Sequence, residues 1–319
     1  MATTAATLVR KTKTKRWTGL LLLTGYLALY ATTLYNMSRW GAYDPADALT
    51  VAAILGVGFS VAAWLFTIGV KPLAYRVSQP ARELAVVTIY LIAVTAVVTW
   101  GFDWIRRVVP TNPPQAFVLL ALKLVVFVAV PVLIMRSLFG YRRLDLAPSS
   151  FTLRPMIAMT GMSALLIVFQ AVLGRGLRDI QAAHVPASAL VWGMPVALLW
   201  SCLEMGVVEE FFFRCVVQSR LSAALRSEVG GIVVASLAFG LMHAPGLYLR
   251  TGVTQEGLPP HPALWMAIGY SIVITSVAGL LFGVLWARTR NFAVVVVVHG
   301  AADLLPNFLP TLRSLHLLR

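Results

Sequence analysis

Long apolar runs separated by short polar segments divide the chain, and this pattern constrains its fold more than any other feature. A bilayer-spanning helix needs roughly 20 apolar residues. Candidate spans lie near residues 17–36, 48–70, 83–104, 116–138, 155–174, 189–218, 230–245, 263–287 and 292–310. Backbone polar groups must be paired internally in lipid, so such runs form helices. The predicted fold class is therefore all-α: a polytopic integral membrane helical bundle with eight to nine spans, since the run 230–245 is short.

The low content of charged residues supports this prediction. Asp, Glu, Lys and Arg make up 12% of the chain, whereas a soluble domain has about 25%. A membrane-embedded chain shows this deficit because most of its side chains face lipid or a dry interior. The lipid bilayer is therefore a predicted partner.

The basic residues are distributed as in a membrane protein. The net charge of +14 comes from short Lys/Arg clusters between the apolar runs, such as residues 10–16 and 142–143. Nucleic-acid recognition would need a continuous basic face, which the sequence lacks. Nucleic acid is therefore not an expected partner.

The same charges predict how the chain is oriented. If the N-terminus is cytoplasmic, segments on that side contain 16 Lys and Arg residues and segments on the other side contain 8. Lys and Arg are enriched in cytoplasmic loops. The run 19–35 is not followed by a small-residue cleavage site, so we expect a retained first span. The Ala-, Val- and Arg-rich composition indicates a bacterial inner-membrane protein.

Ionisable residues divide the chain into two parts. Within the spans of residues 1–150, Lys123 is the main exception to an apolar sequence, and this part is predicted to form accessory transmembrane helices. Residues 151–319 contain nearly all the other ionisable residues within spans and are predicted to form the functional core. The motifs of this core lie within 189–310.

The first motif lies in the predicted span 189–218, which contains Glu204, Glu209, Glu210 and Arg214. A charge at mid-bilayer costs about 2.5–3.5 kcal/mol and indicates a functional residue by default. Glu210 and Arg214 are spaced i,i+4, which favours a structural ion pair. Glu209 points about 100° away from Glu210 on the helix, so its role stays open between structure and catalysis.

Two further motifs contain histidine. His243 follows Phe239 by four residues on a helix expected to stop at Pro245-Gly246. A lone histidine of this kind is more often a hydrogen-bonded core residue than a catalyst. His299 and Asp303 are also spaced i,i+4, so the carboxylate can fix the orientation of the imidazole. A structural His–Asp pair is the alternative.

Taken together, these three motifs resemble those of the CAAX-protease and bacteriocin-processing family, also called the Abi family. The family motifs Glu-Glu-x-x-x-Arg, Phe-x-x-x-His and His-x-x-x-Asn/Asp correspond to Glu209-Glu210…Arg214, Phe239…His243 and His299…Asp303. All three occur in the family's order within residues 189–310. The resemblance implies a glutamate-type intramembrane endopeptidase, similar to type II CAAX prenyl proteases.

The resemblance also implies a role for each matching residue. Glu209 and His243 would activate a water molecule, and His299 and Asp303 would stabilise the oxyanion. Glu210, Arg214 and Phe239 would support them. An ionised aspartate cannot donate a hydrogen bond to an oxyanion. Asp303 is therefore either protonated or holds His299 as the donor, and we predict the second.

The implied substrate is the C-terminal or membrane-proximal segment of another membrane-anchored, lipidated or sorted protein, or a precursor peptide. The implied mechanism uses no cofactor. Zinc bound by Glu209, His243 and His299 is the alternative, since two histidines and a carboxylate form a known zinc site, although the usual HExxH arrangement is missing. A non-enzymatic immunity or scaffolding factor and a transporter are the alternatives for function.

Overall fold

The computed structural model describes residues 16–40, 44–111, 113–249 and 258–318, and within them it has nine helices long and apolar enough to cross a membrane. The helices are α1 (Arg16–Arg39), α2 (Pro45–Phe66), α3 (Pro80–Val108), α4 (Pro114–Phe139), α5 (Leu153–Leu173), α6 (Ala187–Leu225), α7 (Glu228–Leu249), α8 (Leu264–Thr289) and α9 (Phe292–Ser314). Two short helices, Arg143–Leu146 and Gly176–Ala182, lie in the connections. The predicted all-α membrane bundle is confirmed. The basic residues 10–15 lie outside the described residues.

Several helix ends differ from the sequence prediction, among them those of α7 and α6. Helix α7 does not stop at Pro245-Gly246, as predicted, but continues to Leu249. Proline lacks a backbone N–H for the hydrogen-bond ladder, but the helix continues for four residues beyond Pro245. Helix α6 also runs past residue 218 to Leu225, because its last polar residues are buried against other helices.

Helix α9 is central to the packing of the second half, where it contacts α5, α6 and α8. Two glycines allow a close approach between α6 and α9. A Cβ atom at Gly206 would lie 2.6 Å from the carbonyl oxygen of Val296, and one at Gly300 would lie 2.9 Å from the backbone nitrogen of Cys202. This approach brings the glutamates of α6 against the histidine of α9.

The helix ends form two faces, and contacts between distant residues show which ends share a face. On the face where α1 begins, which we call the N-terminal face, the backbone N–H of Leu73 donates a hydrogen bond to the carbonyl oxygen of Thr289, and the side-chain amide of Asn291 donates one to the carbonyl oxygen of Ser150. On the opposite face, Gly176 packs against the backbone of Leu305. Successive long helices therefore run in alternating directions.

The first half of the chain packs directly on the second half. Helix α3 contacts α6 and α7, and α4 contacts α6. The division into accessory helices (1–150) and a functional core (151–319) stays a prediction.

Candidate active site

Glu210 joins two of the three motifs. Its side chain is fully buried, and one carboxylate oxygen accepts a hydrogen bond from Nε of Arg214 at 3.1 Å. Its other oxygen lies 2.7 Å from Nδ1 of His299 on α9. The ion pair predicted from the i,i+4 spacing is confirmed, and Glu210 also fixes the imidazole of the third motif.

His299 has carboxylate oxygens beside both ring nitrogens. Its Nε2 lies 3.2 Å from Oδ2 of Asp303 and 3.8 Å from Oε2 of Glu209. The ring is buried and stacks on Phe282, with the centroids 4.4 Å apart. Ionised carboxylates only accept hydrogen bonds. Both ring nitrogens are therefore satisfied when the ring carries both protons.

Glu209 differs from its neighbour Glu210 in its exposure. The side chain of Glu209 is 20% exposed, whereas that of Glu210 is sealed in the protein interior. Two π-helical segments, Cys202–Val207 and Phe211–Gln218, lie on either side of these glutamates. Such local widening of a helix occurs frequently at functional sites. Glu209 is thus the carboxylate of this pair that a small molecule can reach.

His243 has one nitrogen engaged by the backbone. Its Nδ1 lies 2.8 Å from the carbonyl oxygen of Phe239. A carbonyl only accepts, so Nδ1 is the donor, and in the neutral ring Nε2 is then an acceptor. The Phe239 ring lies between the two histidines, at 4.8 Å from the His243 ring and 6.4 Å from the His299 ring.

Arg214 is held by one carboxylate and two aromatic rings. Its guanidinium lies 5.1 Å from the ring centroid of Phe239 and 6.0 Å from that of Phe282. Its two terminal nitrogens have no hydrogen-bond partner among the described residues. The attraction between the cation and the ring faces partly offsets the cost of this burial.

A cavity of about 300 Å³ contains both Glu209 and His243 in its wall. This volume is at the lower end of the range of ligand pockets, about 300–1,000 Å³. The wall comes from α3, α4, α6, α7 and α8, and its polar residues are Thr99, Asp103, Arg106, Lys123, Glu209, His243, Tyr270 and Thr275. Sequence reasoning missed the contribution of α3, because the relevant part of that helix has no motif.

Lys123 is paired within the bundle. Its Nζ lies 2.9 Å from Oε1 of Glu204, and Nε1 of Trp200 donates a hydrogen bond to the other oxygen of that glutamate. Glu204, which precedes Glu209 and Glu210 on α6, therefore has a structural partner in Lys123.

A second buried charge pair lies toward the N-terminal face and was not predicted. Glu83 is fully buried and accepts hydrogen bonds from Nε of Arg220 at 3.1 Å and from the hydroxyl of Tyr141 at 2.9 Å. Burial raises the pKa of the Tyr141 phenol, so this group stays protonated and donates. The pair joins α3 to the end of α6. No local sequence spacing links residues so far apart.

No group of three His, Cys, Asp or Glu side chains in the described parts of the chain has an arrangement that could hold a metal ion. Glu209 lies 3.8 Å from Nε2 of His299. In each histidine of the motifs Nδ1 already has a partner, which is Glu210 for His299 and the carbonyl oxygen of Phe239 for His243.

Residues 187–305 match the family described as Type II CAAX prenyl endopeptidase Rce1-like. The matched segment contains all three motifs, which confirms the predicted family resemblance over these residues. No curated protein and no solved structure matches the chain.

Proposed function

Because residues 187–305 belong to the CAAX-protease family, we propose that the chain is an intramembrane endopeptidase in which Glu209 activates a water molecule. The observation that carries this proposal is the position of Glu209. Its carboxylate lies in the wall of a cavity shared with His243 and 3.8 Å from Nε2 of His299. A base and a donor for the oxyanion are the two groups that peptide hydrolysis needs.

In the proposed reaction, Glu209 and Nε2 of His243 accept hydrogen bonds from the water. Glu209 takes a proton as the water oxygen bonds to the peptide carbonyl carbon. His299 donates to the carbonyl oxygen, which carries the negative charge of the tetrahedral intermediate. The C–N bond then breaks, and the proton on Glu209 passes to the leaving amine. Glu210 holds Nδ1 of the imidazole throughout, and the Nε2–H that contacts Asp303 is shared with the carbonyl oxygen in the tetrahedral intermediate.

The proposed substrate is a segment of another membrane-anchored protein or of a precursor peptide, cleaved near the membrane or near its C-terminus. The nine long apolar helices of the described residues indicate an integral membrane protein, so a substrate anchored in the same bilayer would meet it by lateral diffusion. The small cavity suits a peptide segment that enters in extended form.

Comparison of membrane-protein termini tests this function. Cleavage creates new protein termini in the substrates. We expect the same set of these termini to be missing from a strain that lacks the protein and from a strain that expresses Glu209→Gln. A strain with Glu228→Gln should keep them, because Glu228 is half-exposed, pairs with Arg290 and lies far along α7 from His243. Identical termini in all strains would contradict the proposal and favour a non-enzymatic role.

We also propose that the reaction needs no metal. Activity of the purified enzyme should therefore survive prolonged treatment with EDTA or phenanthroline, and elemental analysis should find no stoichiometric metal. A known zinc peptidase in the same detergent serves as the positive control for chelation. Loss of activity that zinc alone restores would instead support zinc at Glu209, His243 and His299.

A further inference from the structure

The cavity extends from the reactive groups toward one face of the bundle only. From His243 its wall continues along α7 to Leu249, about 9 Å further at 1.5 Å per residue. On α3 it continues from Thr99 to Arg106, close to the end of that helix at Val108. Both helices end on the face opposite to the N-terminal face. The cavity therefore leads to the opposite face.

Toward the N-terminal face the site is closed by packed side chains. Every residue of the segment Phe211–Gln218, which follows Glu209 along α6, is buried. The ring of Phe212 contacts that of Phe127 at 5.5 Å, and the ring of Phe211 contacts that of Phe292 at 6.0 Å. A peptide has no path through this layer without opening the core.

Charge distribution assigns the two faces to compartments. Among the described residues, 12 Lys and Arg residues lie at or near the N-terminal face and 6 lie at or near the opposite face. Lys71, Arg76 and Arg142 lie at the N-terminal face as exposed side chains in connections between helices. Basic loops remain in the cytoplasm. The face to which the cavity leads is therefore extracytoplasmic.

Together these observations indicate the side of access. We propose that the active site receives its substrate from the extracytoplasmic side, so that the substrate class is a membrane-anchored polypeptide whose cleaved segment has already been exported. That a substrate enters the cavity rests on the proposed function, whereas the direction in which the cavity opens is independent of it. The half-exposed Asp103 and Arg106 at the mouth suit a hydrated peptide. A tail confined to the cytoplasm would not reach Glu209.

Labelling with a membrane-impermeant charged maleimide tests the direction of access. The parent protein carries Cys202→Ser and Cys215→Ala, which remove both cysteines. Leu247→Cys places a thiol in the cavity wall, and Thr99→Cys places a second one on another helix. Lys71→Cys marks the N-terminal face and Ala182→Cys marks the opposite face, both at exposed positions.

In intact cells we expect the cavity thiols and Ala182→Cys to be labelled and Lys71→Cys to be protected. In inside-out vesicles the pattern should reverse. Cavity thiols that label together with Lys71→Cys, or that label from neither side in folded protein, would overturn the proposal. Labelling does not depend on catalysis, so unchanged protein termini in the deletion strain would contradict the protease function and leave this result intact.

Discussion

Glu209→Gln is expected to abolish peptide cleavage while the protein stays folded. The amide keeps the size of the side chain but cannot take a proton from water, and a positioned general base contributes about 100- to 10,000-fold to a rate. The side chain is 20% exposed and its contact with His299 is 3.8 Å long, so little packing is lost. Cleavage of a substrate identified from the lost termini, with thermal unfolding in the same detergent, measures both effects.

Glu210→Gln is the matched comparison, because it makes the same change one residue away. Glu210 is fully buried and pairs with both Arg214 and His299. Removal of one partner from a buried ion pair costs about 3–5 kcal/mol. This variant should therefore unfold at a lower temperature and accumulate less in cells, whereas Glu209→Gln should not. Full activity of Glu209→Gln would show that the proposed mechanism is wrong.

The spans were predictable from sequence because each one depends on local apolarity. Their ends were less predictable where polar residues have distant partners. Hydropathy falls after residue 218, but α6 continues to Leu225 because Arg220 is paired with Glu83 on α3. The end of α7 was predicted too early for a different reason. Pro245 looks like a helix stop in sequence, yet the helix continues beyond it to Leu249.

The candidate site was predictable where its contacts are local or motif-based. The pairs Glu210–Arg214 and His299–Asp303 follow from the i,i+4 spacing, and both are present. The contact between Glu210 and His299 joins residues 89 positions apart, so no helical periodicity could indicate it. The contribution of α3 to the cavity wall likewise depends on contacts between residues that are distant in sequence. Packing through Gly206 and Gly300, rather than any motif, brings these groups together.

Asp303→Ala is expected to lose most of the activity and Asp303→Asn to keep a substantial part. Oδ2 of Asp303 lies 3.2 Å from Nε2 of His299. Asparagine can still accept from that imidazole or donate to an oxyanion, whereas alanine does neither. Loss of one oxyanion-type contact costs about 2.7–4 kcal/mol, or ~100–1,000-fold in rate. Asn307→Ala, one turn further along α9, should stay active, because the Asn307 amide bonds to a backbone carbonyl and a sulfur among the described residues.

A double-mutant cycle separates the two roles open to Asp303. If Asp303 acts by holding His299 as the donor, the variant with Asp303→Ala and His299→Ala should be no slower than His299→Ala alone, because the residue has nothing left to hold. If Asp303 is a protonated donor that acts directly on the oxyanion, the two losses should multiply. The rates are compared per folded protein, since His299→Ala also removes a partner of Glu210. The structure favours the first outcome, because Nδ1 of His299 is fixed by Glu210 and Asp303 contacts the remaining nitrogen. Full activity in Asp303→Ala would remove this residue from the mechanism.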